Sequence, residues 1–288
     1  MATRMKIGAH VGSSGGLITA FERAQNIGAE TIQIFGAPPQ MWRRRKIRKE
    51  ECEAFRAGMK ETGIEPVFLH GPYLINLATE KPEQLTKSKT ALTEDTQLAS
   101  AIGASGVIFH VGSHKGVGFE QVLPQMVKAL QEVLDETPDD AWIILENSAG
   151  QGGSVGSKFA ELGEIIKKVG SPRLKVCLDT EHAYAAGYDL ADAKGMNDAM
   201  SEFDGEIGLA QLVAVHANDS KIELGGGVDR HENIGKGYIG RKGFEVIMAH
   251  PAFAELPLLL EVPGLEDEGP DKPNVKLLKS IRKKVTKS

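Results

Sequence analysis

Cysteine is scarce in this chain: Cys52 and Cys177 are the only two in 288 residues. Neither has a second cysteine or a histidine at metal-ligand spacing, so a disulfide framework and a cysteine-held structural metal are both excluded, and the pair reads as reduced, packed thiols. Long apolar runs are missing too. No uninterrupted stretch reaches the roughly 20 residues that a membrane-spanning helix needs, and the N-terminus has no apolar leader core, which points to a cytoplasmic protein. No Pro/Ser-rich or low-complexity linker divides the chain, so one α/β domain over residues 1–288 is expected. A dinucleotide fingerprint is absent as well. Gly12-Ser13-Ser14-Gly15-Gly16 follows the first apolar run but lacks the required glycine spacing, which disfavours an open doubly wound sheet. Charge of one sign is not dominant, the net value being -5. That average conceals a basic island, Arg43-Arg44-Arg45-Lys46-Ile47-Arg48-Lys49, and a second basic region from Lys279 to Lys287.

What is present is a repeated unit. Strand-like runs occur at Met5 to Ala9, Thr31 to Phe35, Pro66 to His70, Val107 to His110, Trp142 to Glu146, Lys175 to Asp179, Leu212 to His216 and Leu256 to Glu261. Helix-length segments separate them. Leu17, Phe21, Ala24 and Ile27 share one helical face, as do Val122, Met126, Leu130 and Val133. Strand then helix, eight times, with continuously apolar strands, predicts a (β/α)₈ TIM barrel.

The ends of these runs carry the chemistry. His70, His110, Glu146, Asp179, His216 and Glu261 close six consecutive strands. A barrel brings the C-terminal tips of its strands to one rim, where barrel enzymes keep their active sites, so these side chains converge. His182, Asp229 and His231 lie on the loops just beyond strands six and seven and reach the same rim. Imidazoles and carboxylates in this number exceed the needs of one cation. The mixture favours zinc or another transition metal, and carboxylates bridge neighbouring ions. Hydrolysis of a phosphodiester is the chemistry that a multinuclear divalent cluster serves best, and it requires no serine or cysteine nucleophile.

Several longer stretches carry a family resemblance. They are Gly8-Ala9-His10-Val11; His70 with Tyr73-Leu74-Ile75-Asn76-Leu77; Glu146-Asn147-Ser148-Ala149-Gly150-Gln151-Gly152; Leu178-Asp179-Thr180 with His182-Ala183 and Ala185-Ala186-Gly187-Tyr188-Asp189; His216-Ala217-Asn218-Asp219-Ser220-Lys221; Asp229-Arg230-His231 with Ile234-Gly235 and Gly237; and Leu260-Glu261 before Pro263. In these motifs and their order the chain resembles the endonuclease IV family, the zinc-dependent abasic-site endonucleases, along nearly its whole length. The resemblance implies three Zn²⁺ ions: one on His70, His110 and Glu146; one on Glu146, Asp179, His216 and Glu261; and one on His182, Asp229 and His231. It implies attack by a bridging hydroxide, with Glu146 and Glu261 as catalytic carboxylates. The implied substrate is double-stranded DNA, nicked 5′ to an abasic site to leave a 3′-hydroxyl and a 5′-deoxyribose phosphate; blocked 3′ ends are trimmed as well.

The DNA contacts implied are Tyr73 and Leu74 as a wedge at the missing base, with Gln40, Arg43, Asn218, Lys221 and Arg230 around it, Asn218, Asp219 and Lys221 serving either to support the metals or to contact phosphate. His10 and His114 are expected beside the ligands rather than among them. The chain departs from the family's pattern in three places. Gln40 stands where a basic residue often inserts, Glu181 replaces a small residue between Asp179 and His182, and Gly225-Gly226-Gly227 is expected to loosen the loop before Asp229. The expected assembly is a monomer. Two rivals share these features: a sugar isomerase or epimerase on the same barrel, and a lesion-binding protein with structural zinc. The extra triad of His182, Asp229 and His231 argues against the first. Sites with only three protein ligands argue against the second.

Overall fold

The computed structural model describes residues 5–42 and 47–286. Its strands are β1 (Lys6–His10), β2 (Ile32–Phe35), β3 (Val67–His70), β4 (Gly106–His110), β5 (Trp142–Glu146), β6 (Leu174–Asp179), β7 (Leu212–His216), β8 (Asp219–Ser220), β9 (His231–Glu232) and β10 (Pro257–Leu260). The helices are α1 (Thr19–Ile27), α2 (Lys49–Thr62), α3 (Pro82–Ile102), α4 (Phe119–Asp135), α5 (Phe159–Val169), α6 (Thr180–Ala186), α7 (Ala193–Glu206), α8 (Gly240–Ala249) and α9 (Lys272–Val285). β1 to β7 and β10 close into a parallel barrel in sequence order, with β10 pairing both β1 and β7. β8 and β9 form a separate antiparallel pair in the loop that leaves β7. The expected eight strand-helix units are therefore present, and their ends agree with the expected runs to within one or two residues. One shift matters: β10 ends at Leu260, so Glu261 stands just past the strand. No helix among the described residues is long and apolar enough to cross a membrane.

Residue alternation explains how the barrel builds its rim. Phe68, Ile108, Ile144, Cys177, Ala214 and Leu259 form one buried cluster, a plug inside the barrel drawn from six strands. The next residue of each strand, Leu69, Phe109, Leu145, Leu178, Val215 and Leu260, belongs to the larger core between strands and helices. Side chains along a strand alternate in direction, so the residue after that faces inward again, about 6.6 Å further along the strand. That residue is His70, His110, Glu146, Asp179 or His216 at the tip of its strand, and Glu261 just past the end of β10. The apolar plug is thus the floor on which all six polar groups stand.

Candidate metal centre

The six strand-tip residues meet as expected. His70, His110 and Glu146 each offer a ligand atom within 4.8 Å of the others, and so do Glu146, Asp179, His216 and Glu261. Glu146 belongs to both groups: its Oε2 lies 3.2 Å from His70 Nε2 and 3.5 Å from His110 Nδ1, while its Oε1 lies 2.8 Å from His216 Nδ1. Glu261 Oε2 approaches the same His216 nitrogen at 3.2 Å. The loop residues arrive by two devices. α6 begins directly after β6 with Asp179 as its cap, Oδ1 accepting from the His182 amide at 2.9 Å, which fixes His182 one turn beyond the strand tip. The β8–β9 pair folds the loop back and returns His231 to the rim. Asp229 then lies between two imidazoles, 3.3 Å from His182 Nε2 and 3.5 Å from His231 Nε2.

The histidines are oriented with one ring nitrogen tied back to an oxygen. His70 Nδ1 meets the Gly71 carbonyl at 2.7 Å, His182 Nδ1 the Asn147 carbonyl at 3.0 Å and His231 Nδ1 the Glu261 carbonyl at 3.2 Å. His216 Nε2 meets Gln33 Oε1 at 2.8 Å. A carbonyl oxygen only accepts, so each of these nitrogens carries the hydrogen. The opposite nitrogen, bearing the lone pair in the neutral ring, therefore faces the carboxylates. A lone pair set 2.8 to 3.8 Å from Glu146, Glu261 and Asp179, as at His216, is repulsive unless a proton or a cation lies between them. His231 Nε2 is buried with no hydrogen-bond partner among the described residues. The residues thus fit a set of divalent cations in donor chemistry, in ring orientation and in this orphaned nitrogen.

Electrostatics agree. Burial by itself raises the Glu146 carboxyl, but His110, His216 and His70 hold it well below the ordinary carboxylate range. Burial likewise opposes, and His216, His10 and His70 overcome, the shift of Glu261, which is also lowered. Against burial, His182 brings Asp229 down to about 2. His182 itself moves well above its usual value despite burial, because Asp179, Asp229 and Glu146 surround it.

Around this cluster the rim is open. A cavity of ≈ 570 Å³ is lined by His10, Phe35, His70, Tyr73, His110, His182, Asp229, His231 and Glu261 among others. A second, of ≈ 500 Å³, shares Tyr73, His110, His182 and Asp229 and continues past Leu74 and Gln151. Tyr73 is 60% exposed and stands edge-on to Phe35, with ring centres 5.5 Å apart. Its loop is held by Asn76, which donates to the Ser113 carbonyl at 3.0 Å and accepts from the Ser113 amide at 3.1 Å. Leu74 is half-buried; Gln40, Lys221 and Arg230 are exposed. Arg230 Nη1 donates to the Asp229 carbonyl at 2.7 Å. Arg43 lies outside the described residues, as do Arg44, Arg45 and Lys46 of the basic island.

One expectation is settled between two alternatives, and two need correction. Asn218, expected either to support the metals or to contact phosphate, does the first: it is fully buried, its amide donates to Asp179 Oδ2 at 2.7 Å and its Oδ1 accepts from the Glu261 amide at 2.8 Å. Just past the end of β7, it ties the Asp179 carboxylate to the Glu261 backbone, and its side chain is spent on supporting the ligands. His114 does not support a ligand; its Nδ1 accepts from the Gly116 and Gly118 amides and closes the loop after β4. Gly225-Gly226-Gly227, expected to form a loose loop, is tied to α6 through the Gly225 and Gly227 amides, which donate to the Tyr184 and Ala185 carbonyls. His10 does lie beside the ligands, its Nδ1 3.3 Å from Glu261 Oε1.

Gln33 was missed. It is fully buried on β2, its amide nitrogen 2.9 Å from His10 Nδ1 and 2.5 Å from Glu261 Oε1 while its oxygen takes the His216 hydrogen. The signal was a polar residue at the inward position of an otherwise apolar strand.

Residues 21–284 match the family described as the xylose isomerase-like TIM barrel. A protein of Aquifex aeolicus (strain VF5) named probable endonuclease 4 is 40% identical over 275 residues, covering 95% of this chain and 96% of its own length. One of the same name from Halorhodospira halophila is 41% identical over 262 residues, 90% of this chain and 88% of that protein. Among solved structures, endonuclease IV from Thermus thermophilus superposes with a TM-score of 0.85 at 34% identity, over 97% of this chain and 99% of that one. A D-tagatose 3-epimerase-like protein shares the fold at 18% identity, with a TM-score of 0.75 over 98% of this chain and 99% of that one. By these likenesses, over almost its full length, the chain belongs to the endonuclease IV family of DNA-repair endonucleases.

Proposed function

We propose that this chain hydrolyses the phosphodiester 5′ to abasic sites in double-stranded DNA, leaving a 3′-hydroxyl and a 5′-deoxyribose phosphate, and trims blocked 3′ ends. Three zinc ions would be held by His70, His110 and Glu146; by Glu146, Asp179, His216 and Glu261; and by His182, Asp229 and His231. The observation that carries this reading is the set of four imidazoles, each with one nitrogen anchored to an oxygen and the other presented to carboxylates at an open rim. Bound divalent zinc supplies Lewis acidity, acidifying water near neutral pH and neutralising charge on the phosphate.

The protein's own groups do the rest. Glu146 spans the first two ligand groups, and Asn218 and Gln33 keep Asp179 and Glu261 facing them. Glu261, 18% exposed, is the carboxylate of the second group that opens to the cavity, where its lowered pKa keeps it ionised and able to orient a water for in-line attack. Tyr73 and Leu74, on the loop that Asn76 pins, would enter a duplex at a missing base, where no stacked partner opposes an apolar wedge. Lys221, Arg230, Gln40 and Arg43 would track the backbone on either side. A sugar epimerase on the same barrel has no use for the group of His182, Asp229 and His231.

The test is nicking of a duplex bearing one stable abasic analogue, without added magnesium. The reading expects a single cut 5′ to the lesion, lost in both His231→Ala and Glu261→Gln while each variant keeps its fold. An intact duplex with metal-loaded protein, or an active, metal-replete Glu261→Gln enzyme, would refute it.

A further inference from the structure

We propose that Glu181 is a metal ligand in this chain, adding a second carboxylate to the site of His182, Asp229 and His231. The inference rests on the three-ion reading above. Glu181 occupies the first turn of α6, and the side chain is fully buried although carboxylates are seldom buried without a partner. One oxygen is accounted for: Oε1 accepts from Ser220 Oγ at 3.2 Å and from the Arg230 amide at 3.0 Å. The other is not. Oε2 is buried and, among the described residues, without a hydrogen-bond partner, as is His231 Nε2.

The two residues that carry these orphans belong to one group. Glu181, Asp179, His182 and His231 each offer a ligand atom within 4.8 Å of the others. A buried carboxylate oxygen left unpaired costs free energy that a nearby hydrogen-bond donor would relieve, and the described residues supply none. A cation among these four groups would satisfy the oxygen and the imidazole nitrogen together. It would also offset the crowding of Glu181 against Asp179, the residue that caps the same helix. The hydrogen bonds to Oε1 then serve as the outer support of a ligand, holding the carboxylate in one orientation and tying the loop that carries Asp229 and Arg230 to the site.

The consequence is a third site in which Glu181 joins His182 and His231, the two imidazoles that Asp229 also approaches at 3.3 and 3.5 Å, with Asp179 beside them, of greater negative charge than a site built on Asp229 alone. Glu181→Gln separates ligation from loop support, because the glutamine oxygen still accepts from Ser220 and Arg230 while its amide nitrogen is no ligand. Zinc would be counted by elemental analysis after exhaustive dialysis, and its release timed against a chelating dye. Three equivalents in the wild-type protein and two in Glu181→Gln, or one of three released at least about tenfold faster, is the expected result. Three equivalents in both proteins with matching release would overturn the role of Glu181 and leave the three-ion reading standing. Fewer than three in the wild-type protein would overturn both. Anomalous diffraction from zinc-loaded wild-type crystals decides independently of whether the variant folds. A Glu181 oxygen at roughly 2.0–2.2 Å from the third ion supports ligation, and a third ion with Glu181 beyond hydrogen-bond range refutes it.

Discussion

Replacing Gln33 by methionine keeps the volume of the side chain and removes its polar contacts with the site. Three partners lose their bonds: His216 Nε2, Glu261 Oε1 and His10 Nδ1. They do not suffer equally. His216 is 0% exposed, so its N–H is left buried without an acceptor, which costs about 1–3 kcal/mol. His10 and Glu261 are 14% and 18% exposed and recover part of their bonding from water, so about 1 kcal/mol for the two is a fair allowance. The metal-free protein should thus lose about 2–4 kcal/mol, lowering its melting point by roughly 4–16 °C. The effect on metal is separate. With no acceptor on Nε2, the His216 ring loses what fixes its hydrogen and its tilt, and zinc affinity of the second group should fall about 10–100-fold. Chelator competition with the purified variant reads this directly, and abasic-site nicking under limiting zinc should fall in parallel. Gln33→Glu is the companion variant: it restores an acceptor for His216 but sets a carboxylate against Glu261 Oε1, where the amide nitrogen now stands at 2.5 Å. It should recover none of the lost affinity at neutral pH. Wild-type zinc affinity together with a wild-type melting curve in Gln33→Met would refute the reasoning.

Other outcomes follow from the same geometry. Asp219→Ala should cost about 3–5 kcal/mol, since the buried carboxylate accepts from the amides of Ser220, Gly235, Gly237, Ile239 and Gly240; hydrogen exchange should rise across residues 233–240, and unchanged protection there would contradict it. Glu30 binds Arg282 at 2.6 Å and Lys279 at 3.0 Å, and against burial these partners bring its carboxyl from 4.5 to about 2. Because the folded value lies below the unfolded one, this contribution is complete above pH 4.5 and is lost as pH falls toward 2. With the side chain 31% exposed, water screens the pair, so Glu30→Gln should cost about 1–2 kcal/mol above pH 4.5, a gap that closes as pH falls toward 2; parallel acid-unfolding curves would show otherwise. Tyr73→Ala should leave stability within about 0.5 kcal/mol, as the ring is 60% exposed, and weaken binding to an abasic duplex more than to an intact one; equal losses on both duplexes would remove Tyr73 as a wedge.

Much of this molecule was legible in its chain, and for a definite reason. A strand buried on both faces must be apolar throughout, so each apolar run announced a barrel strand, and the first polar residue after it announced the rim. Period-two alternation then set the direction of His70, His110, Glu146, Asp179, His216 and Glu261 from the plug residue two places before each. Such rules are local, which is why one sequence sufficed for the barrel and for the six residues that meet at its mouth. The same alternation would have flagged Gln33, had a polar residue inside a strand been weighed like one at its tip.

What depended on partners distant in sequence was decided by the tertiary structure alone. Asn218 could have supported the metals or met phosphate, and Asp179 and the Glu261 amide closing around it settle its contacts. His114 resembled a ligand's neighbour until two glycine amides claimed its ring. Glu181 was a carboxylate of unknown direction, and only the packing of α6 against the β8–β9 loop sealed it in with one oxygen bonded and the other bare. A residue's type and its place along a strand fix which way it points. Which groups from elsewhere in the chain arrive to meet it, and whether water is shut out when they do, is determined only when the barrel closes.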